Sequence, residues 1–218
     1  MTERGMIFNA EMVRAVLDGR KTQTRRIMTV QPTPSKTREG DFRFPCNKLK
    51  SMIHVSQFIP GNSPVTDAHE FFSICCPFGA VGDRLWVRET WAEAGGSAPE
   101  LQLYRANYPA HVPSKYENVP PAESIRWRPS IHMPRRASRI TLEITGVRVE
   151  RLNDISEDDA KAEGAPTECC VIGDKHFLGF RSLWRSIYGA DSWQANPWVW
   201  VIDFKRVEGS DAETQNHC

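Results

Sequence analysis

The 218-residue chain lacks an excess of either charge: 28 Lys+Arg stand against 27 Asp+Glu, a formal +1. That balance excludes a histone-like polycation and an acidic tail protein. The chain also lacks any run near the ~18 consecutive apolar residues of a membrane span. Its opening, MTERGMIFNA, places charged and amide groups where a secretory signal needs an unbroken apolar stretch. A soluble cytoplasmic protein with no membrane partner is expected. No internal repeat is present. The six cysteines (Cys46, Cys75, Cys76, Cys169, Cys170 and Cys218) lack zinc-type spacing, since two of the pairs are adjacent in sequence and zinc ligands are usually separated by about two to four residues. Zinc ligation by Cys46, Cys75 and Cys76 with His54 or His69 is the competing reading. Reduced, mostly buried thiols are the expectation, with no metal and no cofactor.

A hydrophobic fraction of 40% with seven tryptophans is enough for a core. The length suits one domain with excursions. Residues 9–19 (NAEMVRAVLDG) read as an amphipathic helix, with Asn9 as cap, Met12, Val13, Val16 and Leu17 on one stripe, and Gly19 as stop. From about 31 to 78, and again from about 93 to 124, prolines and glycines recur without a period, which reads as two long irregular insertions. Between them, Arg84-Leu85-Trp86-Val87-Arg88 alternates as a strand, Leu85 and Val87 facing one side. Residues 139–152 form a second strand with Gly146 as a bend or bulge, and 198–207 a third. Residues 154–163 are an acidic helix stopped by Gly164, with Glu157, Asp158 and Asp159 facing solvent, and 177–188 are an apolar helix. A polar tail, 208–218, closes the chain. Unequal gaps between strands argue for an α+β or barrel design over a doubly wound sheet.

Three stretches carry chemistry. Gly19-Arg20-Lys21-Thr22-Gln23-Thr24 fails as a P-loop, because Arg20 separates the required Gly-Lys pair and a helix precedes it where a strand should. It does place a lysine and a hydroxyl three residues apart, a base and a nucleophile, beside the cations Arg20, Arg25 and Arg26 that lower a lysine's pKa. A solvated basic turn is the alternative. Residues 126–139 (RWRPSIHMPRRASR) hold five arginines and no acid, interleaved with Trp127 and His132. Arg126, Arg128 and Arg135 with a flat ring suit phosphate and base contacts, unless the acidic helix neutralises them. Trp86 and Trp91 flank Glu89 and are candidates to line a cleft. Glu163, at the end of a helix, sits where the macrodipole disfavours a carboxylate.

In this order, G-R-K-T-x-T-R-R, G-D-R-L-W-V-R-E, D-I-S-E-D-D-A-K-A-E-G and W-V-W-V-I-D-F-K-R-V resemble the ASCH domain family, over residues 4–30, 77–91 and 126–207. Trp127 to Pro134, W-R-P-S-I-H-M-P, narrows the resemblance to its longer bacterial and prophage-type members. The resemblance implies a PUA-like small β-barrel with surrounding helices, and a role in RNA metabolism. One branch of the family hydrolyses N(4)-acetylcytidine. By that resemblance Lys21 would be proton acceptor, Thr24 nucleophile and Glu163 proton donor. The expected partners are accordingly RNA or a small nucleoside, and the alternative function is a non-catalytic RNA-binding module or a ribonuclease.

Overall fold

The structure, a computed structural model, describes residues 1–58, 75–96, 98–167 and 175–207. The tail from 208, His69, Cys169, Cys170 and Cys218 lie outside the described residues. The strands are β1 (Glu3–Ile7), β2 (Gln23–Ile27), β3 (Thr33–Pro34), β4 (Phe42–Cys46), β5 (Ser51–His54), β6 (Arg84–Arg88), β7 (Trp91–Glu93), β8 (Gln102–Tyr104), β9 (Thr141–Arg151) and β10 (Trp198–Arg206). The α-helices among the described residues are α1 (Ala10–Leu17), α2 (Glu157–Ala162), α3 (Lys175–Tyr188) and α4 (Asp191–Gln194).

The main sheet has five strands in the order β1-β6-β9-β10-β2, with β1 parallel to β6 and the remaining pairs antiparallel. β10 is apolar on both faces, and the two cores explain why. Trp198, Trp200, Ile202 and Phe204 join the large core with Phe8, Val13, Val16, Leu85 and Val87. Val199 and Val201 point the other way, onto Phe180, Trp184 and Trp193 of α3 and α4. In β9, Leu142, Ile144, Val147 and Val149 are buried. The ladder to β10 pairs Asp203 with Gly146 and Phe204 with Ile144, so Thr145 is an extra residue beside Gly146. A Cβ at Gly146 would lie 2.7 Å from Asp203 Oδ2, so the glycine makes room for that carboxylate.

The fold is mixed α+β. The ladders run in a row and do not return from β2 to β1, so among the described residues the main sheet is not a closed barrel. A side chain spans the gap instead: Arg26 Nη2 donates to the Ile7 carbonyl at 2.9 Å.

The stretch expected to be irregular from 31 to 78 contains the three-stranded sheet β3-β4-β5. Phe42, Phe44 and Cys46 alternate along β4, and Phe44 packs edge-on to Trp200 at 5.8 Å. Pro45 masked the strand in the sequence. It is tolerated because β3 pairs only with Phe42 and Arg43, leaving Pro45 beyond its reach. The stretch 93–124 likewise contributes β8, which pairs with β7.

Helix α3 passes so close to the loop after α2 that a Cβ on Gly179 would lie 1.7 Å from the Pro166 carbonyl oxygen. Gly179→Ala must therefore push the helix off its core. We expect a loss of about 1–3 kcal/mol, read as a lowered melting temperature; an unchanged melting temperature would contradict this packing.

Candidate functional site

Two helix ends build the site. In α1, the Asn9 side chain accepts from the Met12 N–H at 2.8 Å, and Gly19, at φ +72°, turns the chain back. The Lys21 N–H then bonds the Ala15 carbonyl at 2.9 Å. In α2, Ser156 caps the start. The end is a Schellman motif: Gly164 N–H to Lys161 O at 2.9 Å and Ala165 N–H to Ala160 O at 3.3 Å. Gly164 has φ +72°, and a Cβ there would stand 2.9 Å from Lys21 Cβ. The glycine thus both ends α2 and lets it abut Lys21. A bridge between Lys21 and Glu163 and the Thr22 N–H to Ala162 O bond (2.8 Å) lock the two ends together.

Lys21 Nζ consequently meets Glu163 Oε2 at 2.6 Å and the Glu163 carbonyl at 2.9 Å. Both residues are buried, 3% and 5% exposed. Burial holds the Lys21 pKa below its ordinary 10.5 in spite of the Glu163 carboxylate, and Arg26 and Arg25 push the same way as burial. The other carboxylate oxygen, Oε1, takes Arg25 Nη1 at 3.3 Å. Thr24 is 1% exposed, and its Oγ1 has no hydrogen-bond partner among the described residues. In the sheet register Thr24 lies opposite Ile202 and Arg25 opposite Val201. Thr24 therefore faces the large core, and Arg25 the opposite side. The Lys21 amine borders both: it also lies 5.8 Å from the ring of Phe8, in the same core cluster as Ile202. The structure joins Lys21 and Glu163 directly and leaves Thr24 bonded to neither.

A polar network backs the pair. Arg25 is engaged by Glu150, Asp159 and Glu163. Gln23 donates to Asp159 at 3.0 Å and Asp203 at 2.6 Å. Arg148 meets Glu150, Asp159 and Asp203 at 2.8–3.1 Å. Asp159 was expected to face solvent. It instead turns into this network, because its place on α2 opposes Gln23 and Arg148. Glu157 also departs from that expectation and accepts the N–H groups of His176 and Phe177 at the start of α3. Glu150, Arg148, Asp203 and Gln23 were not singled out from sequence. The signal was an acid, Asp203, directly after the apolar run Trp198 to Ile202.

The other sequence candidates are spread out. Arg20 is exposed beside Asp18 at 2.9 Å. Glu89 is buried under Arg139, which donates two bonds to it at 2.9 and 3.0 Å; burial raises its pKa despite that partner. Arg128 pairs with Glu93 at 2.9 Å and Arg135 with Glu3 at 3.0 Å. Trp127 donates to the Ala122 carbonyl and packs edge-on to Tyr108. Arg126 and His132 are exposed. Trp86 is half-buried, with the Arg88 guanidinium 5.4 Å over its ring. Cys46, Cys75 and Cys76 are free thiols. Burial pushes Cys75 up to about 12 and Cys76 to about 11, so both are protonated at neutral pH. Among the described residues no group of three or more His, Cys, Asp or Glu could hold a metal ion. The chain matches no protein-family model, no curated protein and no solved structure.

For Asp159, burial opposes ionisation, but the Gln23 bond and the charges of Arg148 and Arg25 win and hold its pKa below 3.8. Its contribution is then complete above pH 3.8 and lost as pH falls through the lowered folded value. Asp159→Asn should cost about 1.5–3 kcal/mol at pH 7, with the gap to the parent narrowing below pH 3.8 in urea melts. A gap independent of pH would contradict this.

Proposed function

We propose that the protein is a PUA-like, ASCH-type amide hydrolase acting on N(4)-acylated cytidine, with Thr24, Lys21 and Glu163 as its reacting groups. The observation that carries this reading is the 2.6 Å contact between Lys21 and Glu163, buried and 142 residues apart in sequence. The reaction starts from the form in which the Lys21 amine is neutral, the direction in which burial moves its pKa, and Glu163 holds the proton it will donate. In that form the amine takes the Thr24 proton as Oγ1 attacks the acyl carbon. The C–N bond then breaks, and Glu163 protonates the departing exocyclic amine. An acyl-threonine, an ammonium and a carboxylate remain. Water attacks the ester, the Glu163 carboxylate takes the water's proton, and the Lys21 ammonium returns a proton to Thr24. The products are acetic acid and the starting enzyme.

The unpartnered hydroxyl of Thr24 supports the same assignment. A buried polar atom without a partner costs about 1–3 kcal/mol, and substrate is the natural partner. All three groups are buried, and Arg26 spans the gap between β2 and β1.

The RNA-binding alternative is weakened by ion pairing. Of the five arginines at 126–139, Arg128, Arg135 and Arg139 each already face a carboxylate, which leaves less free charge for phosphates.

Thr24→Val decides the proposal, because it keeps the volume and removes only the unpartnered hydroxyl. We expect acetate release from N(4)-acetylcytidine to vanish while the melting temperature stays equal or rises. Retained turnover would refute the nucleophile. The ascending limb of kcat/KM should also fall below the ordinary lysine value of 10.5, as measured in a pH–rate profile; a limb at that value would remove Lys21 as the base.

A further inference from the structure

A cavity of about 430 Å³ opens beside the barred gap, lined by Gly5, Ile7, Arg26, Phe78, Arg88 and Tyr188 among others, and by no acid. Its two arginines are among those that no carboxylate neutralises. Arg25, Arg128, Arg135, Arg139 and Arg148 all face carboxylates. Arg26 and Arg88 have none within ion-pair distance among the described residues. Both instead donate to carbonyls, Arg26 to Ile7 and Arg88 to Ile131. Arg88 Nε is also buried with no acceptor among the described residues, as are Arg43 Nε and Arg84 Nε, which do not line this cavity. The position of Arg88 is also built. Its guanidinium lies over Trp86, and a Cβ on Gly5 would stand 2.9 Å from Arg88 Cδ and 2.8 Å from Trp86 Cζ2. Only a glycine leaves space for that stack.

We infer that this cavity binds a phosphate ester carried by the substrate, so that the preferred substrate is a nucleotide or an RNA and not a free nucleoside. The inference rests on the hydrolase reading for its link to chemistry, but the anion site stands on its own contacts. Two guanidiniums on one cavity suit the oxygens of one phosphate. Arg26 links the cavity to the reacting groups through Phe8, whose ring centre lies 5.5 Å from the Arg26 guanidinium and 5.8 Å from the Lys21 amine. A phosphate that draws Arg26 off the Ile7 carbonyl removes the bar across the gap.

The test titrates the full chain with cytidine, cytidine 5′-monophosphate and a cytidine trinucleotide lacking a terminal phosphate, by calorimetry at low salt. We expect the monophosphate to bind about 10- to 100-fold more tightly than cytidine, the scale of one or two charge-assisted bonds. Arg88→Met should erase that preference and Arg88→Lys should restore part of it. A trinucleotide that matches the monophosphate assigns the site to an internucleotide phosphate; one that matches cytidine assigns it to a terminal phosphate. Equal binding of cytidine and its monophosphate by the parent protein overturns the inference without reference to any variant. Failure of the hydrolase reading looks different: a phosphate preference with no acetate from either acylated form leaves the anion site standing. Equal kcat/KM for acylated nucleoside and nucleotide, with acetate released from both, does the reverse.

Discussion

A lysine and a glutamate buried against each other govern the architecture around them. Desolvating two charges opposes folding, and their mutual attraction offsets it only when the geometry is fixed and the remaining donors and acceptors are met. Each requirement is visible in the chain. Gly19 and Gly164 both adopt left-handed backbone to bring the ends of α1 and α2 together. Glu163 has one oxygen on Lys21 and the other on Arg25, and Lys21 has a second acceptor in the Glu163 carbonyl. Arg25 in turn needs Glu150 and Asp159, and these need Arg148 and Gln23. The polar layer between the sheet and its helices follows from one pair. The two apolar cores on either side of β10 hold that layer in place.

Strand alternation gives two neighbouring arginines opposite fates. Arg25, opposite Val201, turns into the network and is held by three carboxylates. Arg26, opposite Trp200, turns the other way and finds a carbonyl and the face of Phe8. One arginine neutralises buried acids. The other keeps its charge available at the edge of a cavity, next to the amine whose pKa its charge helps to depress. Exchanging their roles would take a shift of one residue in the β2 register, which would also bury Thr24 on the network side.

What was legible in the sequence was local. The α1 cap and stop at Asn9 and Gly19, the stop at Gly164, the alternation of Leu85 with Val87 and the bulge beside Gly146 all follow from rules acting within a few residues. β4 was illegible because Pro45 reads as a breaker until its neighbour is known to be too short to need its N–H. The network was illegible for a deeper reason. Asp159 reads as one more acid on a solvated helix, and only tertiary placement opposite Gln23 and Arg148 makes it internal. Glu163 was half legible: a carboxylate at a helix C-terminus is out of place electrostatically, and the structure places two cations there. Lys21 and Thr24 were legible as a motif, but nothing in their spacing says that one would pair with Glu163 while the other is left without a partner among the described residues.

The contrast between the two sides of β2 bears on why a hydroxyl sits where Thr24 does. On the network side the ionic side chains of Arg25, Arg148, Asp159 and Asp203 are matched with one another. On the core side, one residue away, Thr24 Oγ1 is buried with nothing to bond among the described residues. Stability alone would place valine there, since it has the same shape without the desolvation cost. A chain that satisfies its difficult ionic groups and leaves an easily removed hydroxyl unsatisfied is not optimised for stability at that point. A buried hydroxyl kept at such a cost is what the proposed reaction with Lys21 and Glu163 would use.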